Sequence, residues 1–271
     1  GGKYQALLTH HLQPEDGPED EPGQAVSRLH GLFEASFKAH FEVAMRVAAL
    51  KQDIDERTYF FLLPLIAEKP VVPALVGTVV PRQLYLLGRP VQGVLTLEVR
   101  PSADGAVESV VLWIPDDPHQ PVSRHASWEA LDTALGKRFR GPAYRRFFAR
   151  FITERDRVDF HRLLNERVAQ AHAGGVELDA RSAPVTDAPF VHLRRQHLAK
   201  IRDDAKVLAV PTDVEDDEDR EARMQGYKEL GLNVLNVAGA FVPVLGEVLL
   251  VANAVQIADE VYEGYEDWRM G

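Results

Sequence analysis

The chain has 271 residues, of which 45% are hydrophobic and 27% are charged. These values are typical of a globular protein with enough core for one large domain or two small ones, and they exclude disorder of the whole chain. The net charge of −10 disfavours a nucleic-acid partner, and the absence of cysteine excludes disulfides, thiolate zinc sites and cysteine nucleophiles.

Four segments are predicted along the chain. Residues 1–24 are predicted to be an acidic flexible segment, because 13–24 are rich in Pro, Gly, Asp and Glu and bury no apolar surface. Residues 25–210 are predicted to form an α+β domain, 211–221 an acidic linker, and 222–271 an apolar helical hairpin packed on the main domain. The chain begins without methionine, and we expect it to be a segment of a larger protein.

A long helix is predicted at the start of the main domain. Apolar residues recur there at steps of three and four, which places them on one helical face. They are Val26, Leu29, Phe33, Phe37, Phe41, Ala44 and Val47. A second helix is predicted to be capped by Asp53 and to end at Pro64.

A small antiparallel β meander is predicted at about residues 76–114. The strand at its centre is predicted to be half-buried, because apolar residues alternate with other residues at a period of two from Val94 to Arg100. Asp104-Gly105 is a hairpin signal between this strand and the next one, Val107–Ile114. Leu84–Leu87 is the expected partner on the other side, and Pro115 to Pro118 is expected to end the sheet.

Helices are predicted to follow the sheet. Ser127 has the character of an N-cap for a helix that begins at Trp128. Pro142 is predicted to open a further helix that continues through Phe160, and Asp187 and Pro189 to start one that reaches about Leu208. A short strand is expected at 176–178. The predicted fold class is therefore α+β, mostly helical, with a small meander and a C-terminal apolar hairpin.

The apolar stretch 230–262 is the most distinctive feature of the sequence. Residues 234–257 are long enough to span a bilayer, which needs ~20 residues. The central carboxyl of Glu247 costs about 2.5–3.5 kcal/mol on insertion scales, and its protonation lowers that cost. We therefore hypothesise a hairpin that inserts when Glu247 is protonated, carried by Phe241, Pro243, Gly246, Glu247 and Leu249. The alternative is a hairpin that stays buried in a soluble core.

Residues 137–157 are basic and aromatic. They hold eight Lys or Arg against two acidic residues, and Tyr144, Phe147, Phe148 and Phe151 lie between the cations. The predicted basic surface consists of Arg138, Arg145, Arg146 and Arg150, and its expected partner is an anionic membrane surface. One alternative is an RNA-binding stretch. The other places Phe147 and Phe151 in the core and the arginines on the solvent side, where the acidic residues 213–221 can pair with them.

Catalytic patterns are sparse. His119 and His125 lie near Asp116, Asp117 and Ser123 in one Pro-rich stretch, which leaves an enzyme with an unfamiliar site as one hypothesis. Sequence neighbours do not make a triad, and neither a nucleophile elbow nor a phosphate loop is present. We therefore predict no catalytic residue, no cofactor and no metal.

Several runs of sequence carry a resemblance to a known family. They are Asp203–Thr212, Leu232–Glu247, Asp259–Trp268, Leu112–Pro118 and Tyr144–Ile152. Together they resemble the dermonecrotic-toxin-like N-terminal region of large proteins from pseudomonads, some of which continue into leucine-rich repeats. The resemblance implies a toxin or effector that is secreted or translocated into a target cell, with its activity in another domain. It carries over no catalytic residue.

Three functional hypotheses follow from the sequence. The first is a non-catalytic delivery or membrane-engaging module. The second is a scaffold that binds a host or effector protein and keeps the apolar hairpin buried. The third is an enzyme whose site surrounds His119 and His125.

Overall fold

A computed structural model describes residues 10–13, 15–18, 21–67, 77–100, 102, 105–171 and 175–208, with side chains up to 204. The predicted linker 211–221 and the predicted hairpin lie outside the described residues, and so do the site residues assigned to that hairpin: Phe241, Pro243, Gly246, Glu247 and Leu249. The domain boundaries given above therefore stay predictions.

The described chain is mostly helical, with one antiparallel sheet, so the predicted α+β class is confirmed. The helices are α1 (Gln24–Leu50), α2 (Glu56–Ile66), α3 (Trp128–Arg138), α4 (Pro142–Phe148), α5 (Glu154–Gln170) and α6 (Pro189–Leu208). The strands are β1 (Thr78–Leu86), β2 (Arg89–Pro90), β3 (Leu95–Arg100), β4 (Ser109–Trp113), β5 (Val122–His125) and β6 (Arg181–Pro184).

The sheet has the strand order β2-β1-β3-β4-β5, and β6 pairs with β1. The predicted meander is confirmed, because β3 pairs with β1 on one side and with β4 on the other. The prediction that the sheet ends at Pro115–Pro118 is wrong, since the chain returns after this turn and adds β5. The strand expected at 176–178 is also misplaced, because the pairing with β1 is made by Arg181–Pro184.

The central strand β3 is buried on both faces, which corrects the half-buried prediction. One face packs on α3 to α5, where Leu84, Val110 and Leu112 join a cluster with Phe139 and Phe148. The opposite face is covered by α1 and α6. There the Phe41 ring of α1 lies 5.4 Å from Trp113 of β4, and Gln196 of α6 donates a hydrogen bond to Gln83 of β1. A strand between two helical layers buries its polar positions as well as its apolar ones.

Helix α1 confirms the predicted long helix but not all of its predicted face. Phe33, Phe37 and Phe41 are buried, whereas Val47 is exposed and Met45 and Ala48 are buried. The predicted face continued from Phe41 to Ala44 and Val47 in two steps of three residues. Each such step falls about 60° short of a full turn, so the two together rotate the face by about 120°. The observed steps of four and three keep the buried face on the sheet.

Several other helices begin at a capping residue or a proline that is visible in the local sequence. Ser127 caps α3 by accepting the Ala130 amide, and α6 runs from Pro189 to Leu208, so both predictions are confirmed. The prediction for α2 is wrong, because the N-cap is Asp55 and the helix continues for two residues beyond Pro64. Within the described residues, no helix combines the length and the apolar character that crossing a membrane requires.

The predicted single helix from Pro142 through Phe160 is also wrong. Helix α4 ends at Phe148, a 3-10 turn covers Ala149–Phe151, and α5 begins at Glu154. The break has a tertiary cause, because the Asp204 carboxylate of α6 accepts the Glu154 amide at 2.7 Å and so stabilises a new helix start. A residue 50 positions away supplies this cap, and local sequence cannot indicate it.

Candidate functional site: a basic surface on α3 to α5

Four cations of the basic segment are exposed. Lys137 and Arg140 lie at the end of α3, Arg146 lies on α4, and Arg155 lies on the first turn of α5. We call these four exposed residues the basic surface. Arg146 is the member that this set shares with the four predicted arginines. The guanidinium of Arg145 connects α4 to the end of α3, because it donates to the carbonyl oxygens of Phe139 at 3.1 Å and Arg140 at 3.2 Å. A cation at these last carbonyls also favours the helix dipole of α3.

The two acidic residues of the segment turn inward. The Glu154 side chain is fully buried and forms an ion pair with Arg157. The Asp156 side chain is 15% exposed, accepts a hydrogen bond from the Thr153 hydroxyl and lies 3.6 Å from Arg89. The segment therefore presents its cations to solvent and keeps its own carboxylates below the surface.

Among the four predicted arginines, Arg146 is exposed and the other three are partly buried. Arg138 is mostly buried, donates to the Asp117 carboxylate at 3.0 Å and to the Gln120 side-chain oxygen at 3.2 Å, and thus serves the fold. Arg145 is half-buried in the contact described above.

Arg150 occupies an intermediate environment. Its guanidinium lies 4.6 Å from the centre of the Phe147 ring and donates to the Phe147 carbonyl at 3.2 Å. Burial lowers the pKa of Arg150, and the nearby carboxylate of Asp116, at 3.8 Å, acts in the opposite direction. Arg150 is therefore stacked on an aromatic ring at the edge of the basic surface, with one exposed acid beside it.

The aromatic residues of the segment form part of the core. Phe148 and Tyr144 are buried, and the Phe148 ring lies 4.8 Å from that of Phe139. The alternative that places Phe151 in the core is confirmed, whereas Phe147 is only partly buried. Tyr144 and Phe148, which were not predicted to be core residues, are buried more deeply than Phe147 and Phe151.

Asp117 is a fully satisfied structural acid. One carboxylate oxygen accepts the backbone amides of His119 at 2.8 Å and Gln120 at 3.1 Å. The other accepts the Arg138 guanidinium at 3.0 Å and the Tyr144 hydroxyl at 2.6 Å. Burial raises the pKa of Tyr144, and the hydrogen bond to Asp117 adds to this effect. Four donors leave Asp117 no free lone pair with which to accept a substrate proton.

The side chains of the enzyme hypothesis do not meet at one centre. His125 and Ser123 belong to β5 rather than to a loop, and their side chains share a hydrogen bond of 2.9 Å. Burial, with a smaller effect from Arg138, lowers the pKa of His125 to about 4. Asp116 is exposed and faces Arg150, and the His119 ring packs beside Tyr144. Within the part of the chain that is described, no group of three or more His, Asp or Glu side chains is arranged to hold a metal ion.

A buried ionic cluster between α5 and α6 was not predicted. It contains Glu154 and Arg157 of α5 and Lys200 and Asp204 of α6, all with side chains at most 15% exposed. Both pairs have the spacing of three or four residues that brings side chains together on a helix. This spacing is visible in the sequence, but it does not distinguish a buried pair from an exposed one.

Two histidines lie beside this cluster: His161 is buried and His197 is partly buried. Burial, with smaller effects from Arg157 and Arg145, lowers the pKa of His161 to about 4. Burial also lowers the pKa of His197 to about 4, with Lys200 as a second cause. Counting only partners among the described residues, the Nε2 atoms of both rings lack a hydrogen bond. Both side chains are therefore neutral parts of the core at neutral pH.

The described residues thus define an α+β domain whose candidate site is an exposed charged surface rather than a buried reactive centre. The profile of the dermonecrotic toxin N-terminal domain matches residues 1–155, more than half of the chain, and the chain belongs to this family. The match confirms the family resemblance and includes the whole basic surface. No curated protein matches the chain. The chain is accordingly a toxin-associated module, and its family suggests a secreted or translocated protein.

Proposed function

We propose that this chain is a membrane-engaging module of a toxin, and that the basic surface holds it on anionic lipid. The observation that carries the proposal is the separation of charge within one segment. Lys137, Arg140, Arg146 and Arg155 are exposed, whereas Glu154 and Asp156 are turned into the protein. Exposed cations of one segment are what an anionic headgroup layer attracts.

The magnitude of the attraction is sufficient for reversible binding. Each Lys or Arg near an anionic bilayer contributes about 1 kcal/mol, so four contribute about 4 kcal/mol in favourable geometry. The chain as a whole is acidic, with a net charge of −10 that includes these four cations, so the remainder of the chain is repelled by the same lipid. This opposition orients the protein, because the basic surface is attracted to the lipid and the acidic remainder is repelled. Salt weakens the attraction, since the Debye length falls to about 8 Å at physiological ionic strength.

A second step of the proposal concerns the apolar stretch 230–262. Its support is the sequence alone: a segment of spanning length with Glu247 near its centre. Adsorption through the basic surface raises the concentration of this stretch at the bilayer, and protonation of Glu247 lowers the cost of its insertion. Binding at neutral pH and insertion at acidic pH are therefore separate events with separate residues.

Vesicle flotation tests the first step. We expect the chain to float with vesicles that contain phosphatidylserine and not with vesicles of phosphatidylcholine alone. Replacing the four cations by glutamine (K137Q/R140Q/R146Q/R155Q) is expected to abolish flotation. The matched control K51Q/R57Q/R181Q/R195Q removes four exposed cations elsewhere and is expected to float like the wild type. Equal flotation of both quadruple variants would overturn the proposal.

Flotation at about pH 5 and about pH 7.5 tests the second step. We expect resistance to high-salt extraction to appear only at the lower pH, because inserted apolar residues do not respond to salt screening. Glu247→Gln removes the need for protonation and is expected to give the same resistance at both pH values. Salt-sensitive binding at both pH values in both proteins would remove the insertion step and leave the adsorption step intact.

A further inference from the structure

Helix α1 carries apolar side chains on the face that points away from the sheet. Leu32, Val43, Val47 and Leu50 are exposed, with Leu50 open over 86% and Val43 over 62% of their surfaces. Phe33, Phe37 and Phe41 face the opposite way and are buried. We call the exposed face the outer stripe. Exposed apolar side chains that share one helical face mark an interaction site, and the exposed Arg46 lies among them.

Apart from Leu32, the outer stripe has small residues in its N-terminal half and bulky residues in its C-terminal half. Gly31, Ala35 and Ala39 are exposed in the N-terminal half, and the bulky Val43, Val47 and Leu50 follow in the C-terminal half. A second copy of the helix can pack antiparallel to the first, related to it by a two-fold axis near residue 40. The small residues of each helix then face the bulky residues of the other. Such an arrangement lets two helices approach closely and interdigitate without voids.

The charges beside the stripe obey the same symmetry. Lys38 and Glu42 lie at equal distances on either side of residue 40 and on the same flank of the helix. In the antiparallel arrangement, Lys38 of one protomer meets Glu42 of the partner subunit, and the two-fold axis repeats the pair. Glu42 also accepts the Arg46 guanidinium of its own helix at 2.6 Å, which holds its carboxylate on this flank.

The available surface is large enough for a specific contact. The 27 residues of α1 extend about 40 Å. Two copies of the stripe, with the partly exposed Phe60 of α2 at its end, remove on the order of 1,000 Å² from water, near the lower limit for a specific interface. A lipid surface gains little from Gly31, Ala35 and Ala39, whereas a second helix needs small residues in order to approach.

We infer that the outer stripe of α1 is a homodimer interface in which two α1 helices pack antiparallel. The inference goes beyond the proposed membrane function, because it uses a different surface and different observations. The dimer would also double the number of basic surfaces per particle, and two weak contacts on one particle bind a membrane more tightly than one.

The natural absence of cysteine permits a direct test by single-site crosslinking. Ala39→Cys places one thiol beside the two-fold axis of the inferred dimer, within the distance range that a disulfide spans. Ala169→Cys places a thiol on an exposed position of α5 and is the matched control. Under mild oxidation at micromolar concentration, we expect a covalent dimer from Ala39→Cys and none from Ala169→Cys. Equal, low dimer yields from both variants would overturn the inference.

A second variant tests the interface without a crosslink. Val43→Glu puts a charge in the bulky C-terminal half of the outer stripe while leaving the core face of α1 untouched. In sedimentation equilibrium of the full chain, we expect it to raise the dimer dissociation constant at least about tenfold. A dimer of unchanged affinity would show that another surface is used. A wild-type monomer that floats with neutral vesicles, and loses this property on Val43→Glu, would identify the stripe as a lipid-binding face and overturn the dimer.

Discussion

Arg155 and Arg157 are two residues apart in α5 and have opposite roles. Arg155 is exposed and belongs to the basic surface, whereas Arg157 is 3% exposed and paired with buried Glu154. Both arginines contribute equally to the positive charge of residues 137–157. The comparison shows that the direction in which a side chain points, and not the number of charges in its segment, separates a binding surface from a structural cluster. The following predictions test this separation, beginning with the largest expected effect.

Removing one member of the buried cluster is expected to destabilise the fold most. Asp204→Ala removes the carboxylate that forms a buried ion pair with Lys200 and that caps α5. We expect the free energy of unfolding to fall by about 3–5 kcal/mol, because breaking a buried ion pair by removing one member is costly. Denaturant unfolding measures the change. Asp159→Ala, which removes a carboxylate that is 54% exposed, is the control and should cost less than about 1 kcal/mol. Similar losses would contradict a buried cluster.

Acidic pH is expected to destabilise the same region. Burial lowers the pKa of His161 and His197 to about 4, below the ordinary value of 6.5, so the folded state favours the neutral rings. Their contribution to stability is complete above pH 6.5 and is lost as the pH falls towards 4. At pH 5 the loss is roughly 2 kcal/mol for each histidine.

Denaturant unfolding at about pH 7.5 and about pH 5 measures this loss. The double variant H161Q/H197Q should show a smaller difference between the two pH values than the wild type. His11→Gln, at an exposed position, should retain the wild-type difference. If the double variant and the wild type respond equally to pH, the two histidines are not the acid-sensitive groups.

A smaller effect is expected at Asp117. Tyr144→Phe removes the hydroxyl that donates to its carboxylate at 2.6 Å and leaves the aromatic packing in place. We expect the free energy of unfolding to decrease by about 1.5–2 kcal/mol, which is typical of a hydrogen bond to a charged group. Thermal and chemical unfolding both report it. An unchanged stability would show that Asp117 does not need this donor.

The smallest effect on stability is expected on the basic surface. Arg155→Gln should change the free energy of unfolding by less than about 0.5 kcal/mol, because an exposed arginine contributes little to the fold. The same substitution at Arg157 should cost several times more, since it leaves Glu154 buried beside a neutral group. Comparing the two variants by denaturant unfolding tests the contrast directly, and equal stabilities would remove it.

The sequence predicted the parts of the fold that depend on short-range signals. Ser127 before Trp128 and Pro189 after Asp187 are local signals, and both helix starts are found where they were expected. The break at Ile152 is stabilised by Asp204 from another helix, which local sequence does not show, whereas Thr153 followed by Glu154 and Asp156 is a local helix-start signal that the prediction of one continuous helix left unused. The burial of Glu98 likewise depends on the Trp128 indole and Arg100, which satisfy its carboxylate beneath the helical layer.

The candidate site was predicted as a segment but not residue by residue. Composition identified 137–157, yet Arg138 is paired with Asp117, and Arg145 is bonded to the end of α3. Lys137, Arg140 and Arg155 belong to the same segment and are the exposed cations that had not been selected. Selecting among them requires knowledge of which carbonyls and carboxylates lie within reach, and that is a property of the tertiary structure.

The most direct test of the membrane proposal is the partition coefficient of the folded chain onto phosphatidylserine vesicles, measured by co-sedimentation at low salt. We predict that K137Q/R140Q/R146Q/R155Q lowers the coefficient at least about a hundredfold, since four cations together contribute about 4 kcal/mol. We also predict that added salt weakens binding of the wild type but has little effect on the variant. Equal partitioning of the two proteins at low salt would contradict the account.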